Sequence, residues 1–187
     1  MYALLALLCM AASVTASTVV PLSVAELTSR SQQIFHGICL DSHTAMEGGE
    51  VATHLRFVVS EHLKGLEQTD TLSVILPGGE LNGTRYQISG MPGFSPGEEV
   101  VLFLTGADPS GRVWPVGLAQ GGFHVRRSND GAARVRRDYS ELRFQGSART
   151  AGIPAEDLSL EELLEEVRAR TDPPDANPPD ANPPNAQ

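Results

Sequence analysis

The sequence predicts a mainly β fold: a small closed or partly open β-barrel of OB-like type, with a short N-terminal helix and a C-terminal helix. Three observations carry this. Short runs of apolar and β-branched residues recur along the chain, some with period-two alternation. Glycine-containing turns separate them. Two capping boxes, Ser23-Val24-Ala25-Glu26 and Ser159-Leu160-Glu161-Glu162, bracket the strand region. Seven or eight short strands with such turns indicate a barrel or a sandwich.

The first capping box opens a helix over 24–31, with Leu22 and Leu27 placed to pack across its start. Ile34 to Leu40 is a strand by composition. Val51 to Val59 alternates, with Val51, Thr53, Leu55, Phe57 and Val59 on one face and His54 and Arg56 on the other. Ala45 to Glu50 reads as the turn between them, around Gly48-Gly49. Lys64-Gly65 closes the second strand, and Thr71 to Leu76 is a third, stopped by Pro77-Gly78-Gly79. Arg85 to Ser89 reads as a fourth. Val100 to Leu104 is continuously apolar, as expected of a central strand buried on both faces. Val113 to Leu118, Phe123 to Arg127 and Arg134 to Arg137 complete the β pattern. The second capping box starts a helix over 159–170, whose Leu160, Leu163, Leu164 and Val167 form one apolar stripe.

The ends have a different character. Leu4 to Ala12 is a short apolar run followed by Ser13-Val14-Thr15-Ala16, which fits a signal peptide over 1–16 with cleavage after Ala16. The run is shorter than the roughly 20 apolar residues that span a bilayer, so no transmembrane segment is expected after processing. No Lys or Arg precedes it. Bulky Leu8 before Cys9 argues against a lipoprotein anchor. The domain is then 17–171. Residues 172–187 repeat Pro-Pro-Asp-Ala-Asn without a large apolar residue, the composition of a disordered, extended tail.

Processing removes Cys9 and leaves Cys39 as the single thiol, which is expected to be buried as a small hydrophobe. A cysteine-poor exported chain fits a bacterial periplasm or secretion to the outside. The net charge of −9 speaks against nucleic acid as a partner. The charge is uneven: the stretch from Arg112 to Arg149 is basic and that from Glu156 to Arg170 acidic. This is expected to be internal pairing, with helix acids facing Arg134 or Arg136, or a solvated face.

No catalytic or metal signature emerges, and no cofactor is expected. The histidines His36, His43, His54, His62 and His124 lack helical zinc spacing, and no cysteine pair exists. His54 and His36 are the pair that could meet across strands. Gly93-Phe94-Ser95-Pro96-Gly97 has the outline of a nucleophile elbow, but Pro96 removes the amide that helps to form the oxyanion hole, so it reads as a turn. His36 and Cys39 lie on opposite strand faces.

Three segments resemble netrin-like modules, a group that includes tissue inhibitors of metalloproteases. Ser31-Gln32-Gln33-Ile34-Phe35-His36-Gly37 is similar to their opening strand leaving a short helix. Phe57-Val58-Val59-Ser60-Glu61-His62-Leu63-Lys64-Gly65 resembles their strand ending in Lys-Gly. Pro96-Gly97-Glu98-Glu99-Val100-Val101-Leu102-Phe103-Leu104 resembles their Gly-Glu turn into an apolar strand. The likeness covers residues 24 to about 125 and is similar to the layout of a family of uncharacterised bacterial exported proteins. It implies a five-stranded OB-type barrel used as a binding scaffold, with protease-related partners. The inhibitors start with a disulfide-bonded Cys that chelates the protease zinc. Here the expected mature start is Ser17-Thr18-Val19, so that mechanism does not carry over.

The expected role is therefore an exported non-enzymatic binding or protein-interaction module, whose partner is another exported or envelope protein. Loops 77–84 and 90–99 are the expected contact region, with Arg85, Tyr86, Met91 and Phe94 as anchors. Phe94 could equally plug the barrel end. The alternative is an exported enzyme acting on envelope glycans or peptides through a dispersed site, such as the carboxylates Glu61 and Glu80.

Overall fold

The structure is a computed structural model that describes residues 18–65, 69–109, 111–139, 142–144 and 158–171. The expected signal peptide and the Pro-rich tail lie outside the described residues. The elements are β1 (Thr18–Val19), α1 (Val24–Arg30), β2 (Gln33–Glu47), β3 (Glu50–Lys64), β4 (Thr71–Pro77), β5 (Gly79–Leu81), β6 (Thr84–Tyr86), β7 (Glu99–Leu104), a 3-10 turn (Leu118–Gly121), β8 (Gly122–Arg127), β9 (Ala133–Arg137), β10 (Arg143–Phe144) and α2 (Leu160–Thr171). No helix among the described residues is long and apolar enough to cross a membrane.

Both capping boxes form. The Ser23 N–H donates to the Glu26 carboxylate at 2.9 Å and the Glu26 N–H donates to Ser23 Oγ at 3.3 Å. Ser159 and Glu162 repeat the exchange at 2.8 and 3.2 Å. Each satisfies amides that a helix start leaves without partners. Leu22 and Leu27, on either side of the first box, are both buried in one cluster.

β2 and β3 form a hairpin longer than the sequence suggests, because pairing continues to Glu47↔Glu50. The turn is only Gly48-Gly49, with φ of +59° and +89°. Positive φ at both central residues is the two-residue turn whose twist matches that of paired strands, so Ala45 to Glu47 belong to the strand rather than to a loop. Asn82 and Gly83 make a second such turn, with φ of +52° and +73°. It folds β5 onto β6, where a single strand over 85–89 was expected. Val113 to Leu118 is not a strand. It makes one isolated bridge, Leu104↔Pro115, and then enters the 3-10 turn. Pro115 has no N–H to donate, so a ladder cannot run through it.

Six strands form one antiparallel sheet in the order β4-β3-β2-β7-β8-β9. The mainly β class and the two helices are as expected; of the closed or partly open barrel, the closed form is excluded, because the sheet is open. β4 and β9 do not pair with each other. The approach to α2 takes the β9 edge instead: the Val135 N–H donates to the Leu158 carbonyl at 3.0 Å and Arg134 bridges Ser159.

Core lies on both faces of this sheet. Leu27, Ile34, Val101, Phe103 and Phe123 pack with Leu160, Leu163, Leu164 and Val167 on the helix side. Phe35, Cys39, Leu55, Phe57, Val100, Leu102 and Leu104 form the second cluster on the other. β7 alternates between the two and is the doubly buried strand that its composition predicts. The whole expected stripe of α2 is buried.

Gln120, on the 3-10 turn, ties the N-terminal segment down. It is 1% exposed, its Oε1 accepts from the Leu22 N–H at 2.7 Å, and its Nε2 donates to the Val20 carbonyl at 3.1 Å. Gln120→Ala leaves two backbone groups without partners and is expected to cost about 1–3 kcal/mol. Chemical denaturation of the variant checks this; a midpoint equal to the parent's would mean that water replaces the amide.

Candidate functional site

The four anchors expected from the sequence separate in space. Arg85 and Tyr86 are exposed on the β5–β6 ribbon. Met91 is half-buried against the second core cluster. Phe94 is 6% exposed, packs edge-on to Phe57 at 5.8 Å and stacks on His124 at 5.4 Å. It plugs the core and offers no contact surface. The adjacent Ser95-Pro96-Gly97 is a turn: the Ser95 N–H donates to the Glu98 carboxylate at 3.0 Å.

A surface emerges instead where the sheet runs beyond its helices. Ile38 and Val58 are directly paired across β2 and β3, on the face that Ile34 begins. Ile38, Leu40 and Val58 are 43%, 50% and 41% exposed. Apolar side chains exposed side by side, unlike ones scattered singly, mark interaction surfaces. Further along the molecule Met46, Tyr86 and Ile88 are also exposed.

Charged chains border the apolar strip. On β7, Glu99 continues the helix-side face of Val101 and Phe103. On β8, Arg127 continues that of Phe123 and Val125. Arg127 forks onto the Glu99 carboxylate, Nε to Oε2 at 2.7 Å and Nη2 to Oε1 at 2.6 Å, and His36 Nε2 adds a third bond at 2.9 Å. The Arg127 hydrogen bonds, with His36 behind them, hold the Glu99 carboxyl below the usual carboxylate range. One step away, Arg168 of α2 forks onto Glu61 of β3 at 2.7 and 2.8 Å, and its hydrogen bonds lower the Glu61 carboxyl likewise. Beside its buried stripe, α2 thus meets the sheet through Arg168, a pairing additional to the expected one of helix acids with Arg134 or Arg136. Of those acids, Glu162 sits close enough to Arg134 to feel its charge.

Two solvent-open clefts adjoin this border. One of about 260 Å3 is lined by Glu98, Glu99, His124 and Arg127. Another of about 370 Å3 is lined by Arg127, Arg134, Ser159, Leu160 and Glu161. Burial pushes the His124 imidazole below its ordinary value, against the pull of the Glu98 carboxylate at 3.6 Å. The unfolded chain therefore protonates first. The stabilising contribution of His124 is complete above about 6.5 and is lost as pH falls toward the lower folded value. That of Glu61 and Glu99, also depressed, persists further and is lost only below about 4.3. His124→Gln is expected to flatten the pH–stability curve just below neutrality. Identical curves for variant and parent would show that His124 does not titrate there.

The other sequence candidates are dispersed. Glu80 lies on β5 beside Gly79, whose backbone approaches Thr53 so closely that a Cβ there would clash with it. Glu61 is eight residues further along β3, about 27 Å at strand rise, so the two carboxylates cannot act on one bond. Cys39 is buried, its thiol pushed up by burial and by the Glu98 carboxylate, which leaves it a poor nucleophile. His54 pairs with His43, not with His36, which lies opposite Glu61. Among the described residues, no three of His, Cys, Asp and Glu converge as a metal centre.

Sequence reasoning missed Glu99 with Arg127 and Glu61 with Arg168. A signal was present for the first pair: each is a charge at the next core-face position of its strand. Comparison with family models, with curated proteins and with solved structures finds no match to this chain.

Proposed function

We propose that this chain is an exported, non-enzymatic binding module, secreted or periplasmic in a bacterium, that engages another exported or envelope protein. The exposed strip Ile38, Leu40 and Val58 carries the reading. Interface centres are apolar and rigid with a polar rim, and here the forked pairs Glu99–Arg127 and Glu61–Arg168 supply an ordered rim. Arg85 and Tyr86 on the exposed ribbon are a second contact. Export rests on the apolar run Leu4 to Ala12 and the small-residue pattern that ends at Ala16. The OB-type, netrin-like reading of the scaffold belongs to this proposal too. It is supported by β3 ending at Lys64-Gly65 and by the Gly97-Glu98 turn leading into β7.

The test is capture from an envelope extract by the tagged chain and by an Ile38→Glu, Leu40→Glu variant. Both sites are solvent-exposed, so the variant should melt with the parent. Loss of the captured protein at unchanged Tm is the expected result. Equal capture by both would place the contact elsewhere, and Tyr86→Ala would then separate the ribbon from the sheet.

A further inference from the structure

Past the apolar strip, the same hairpin face carries Asp41, His43 and Glu47 on β2, and His54 on β3. His43 and His54 are directly opposite in register, a relation that brings Cβ atoms within about 4.5–5.5 Å. Their rings lie parallel, 8° apart, with centroids separated by 5.1 Å. We propose that His43 and His54 form a chelating pair for a divalent transition-metal ion, with Cu2+ the preferred one.

The carboxylates on either side select the nitrogens. Asp41 Oδ2 is 3.0 Å from His43 Nδ1. A carboxylate accepts only, so Nδ1 carries the proton and Nε2 keeps its lone pair. Glu47 Oε2 lies 3.6 Å from His54 Nε2, beyond hydrogen-bond distance but on that side of the ring, so a metal would take His54 through Nδ1 and leave Nε2–H facing the carboxylate. This carboxylate–imidazole arrangement is the usual outer support of metal-binding histidines, fixing ring orientation and raising basicity. Glu47 has a further mark: its Oε2 is buried and has no hydrogen-bond partner among the described residues. A metal on Nδ1 makes the Nε2–H a stronger donor and draws it onto that oxygen.

Two metal–nitrogen bonds of about 2.0–2.1 Å place their nitrogens roughly 3 Å apart. The rings must turn toward each other to reach this. The His43 side chain, 61% exposed, has solvent room to pivot about its bond to Asp41, whereas the His54 side chain, at 30%, has less. Ala45 and Ala52 are the next facing pair and add no bulk. Asp41 and Glu47 balance the incoming charge. Arg112 is engaged by Glu50 at 3.7 Å, and Arg56 is opposite Asp41. Two imidazoles with water in the other positions suit Cu2+, which stands at the top of the divalent affinity order for nitrogen ligands. Mg2+ and Ca2+ require oxygen cages.

The test titrates tag-free chain with Cu2+, Zn2+ and Mg2+ by calorimetry and reads the Cu2+ complex by electron paramagnetic resonance. One Cu2+ with nitrogen hyperfine splitting is expected, with weaker Zn2+ binding and none for Mg2+. His43→Ala and His54→Ala should each weaken Cu2+ binding at least tenfold, and Asp41→Asn about tenfold as an outer-support loss. His62→Ala should leave it unchanged. Should the alanine variants melt early, His43→Gln and His54→Gln replace them, since glutamine keeps polarity without an imidazole ligand. Retention of parental affinity by the His43, His54 double variant, or transfer of the effect to His62→Ala, overturns the proposal.

Discussion

Phe94→Ala is expected to destabilise the protein by about 3–5 kcal/mol, the cost of removing a buried aromatic ring and leaving a cavity. Phe94 closes the second core cluster against Phe57 and His124. The corresponding fall in Tm is roughly 10 °C or more for a domain of this size. Tyr86→Ala is the contrast. Its ring is 48% exposed, so its removal should change stability by no more than about 0.5 kcal/mol. Thermal melts of the two variants decide between core and contact. A Phe94→Ala protein as stable as the parent would show that the ring is dispensable to the core, and the 90–99 loop would return as a binding element.

Leu163→Ala is the second large effect, about 2–5 kcal/mol. Leu163 is fully buried between α2 and the sheet. Glu165→Gln and Glu166→Gln should together stay within about 1 kcal/mol, because the Glu166–Arg170 pair at 3.1 Å is solvent-exposed. The Arg168–Glu61 fork also stands partly in solvent and is screened, so it contributes on the order of 1 kcal/mol. High salt should therefore leave the denaturation midpoint nearly unchanged. Should the glutamate changes cost as much as the leucine change, charge and not burial would hold the helix, and the docking of α2 would need another account.

The strip at Ile38, Leu40 and Val58 and the imidazole pair at His43 and His54 share one face of one hairpin. Metal binding and partner binding can therefore be measured together. A Cu2+-dependent change in capture would link them, and an unaltered one would make them independent functions of the same strands.

Local features were legible in the sequence because they act within one element. The capping serines and their glutamates meet three residues apart, whatever the rest of the chain does. The stripe of α2 and the uninterrupted apolar run of β7 follow from helical spacing and from two-sided burial. The burial of Cys39 also followed, from residue type alone.

What only the tertiary structure decided is who lies beside whom. Pairing register is set by turns and by irregularities, and a shift of one residue exchanges the two faces of a strand. The shifts near Phe35, Gly37 and Asp41 are invisible in composition, yet they put His54 opposite His43 and His36 opposite Glu61. Arg127 finds Glu99 because β8 lies beside β7 in the sheet, a long-range contact that neither segment encodes alone. The sheet stays open because the lead into α2 occupies the β9 edge, and a bond between distant segments leaves no periodic trace in either. Phe94 turned inward for the same reason. A loop aromatic takes whatever apolar cluster the folded chain brings within reach, and here that was the end of the core beside Phe57 and His124.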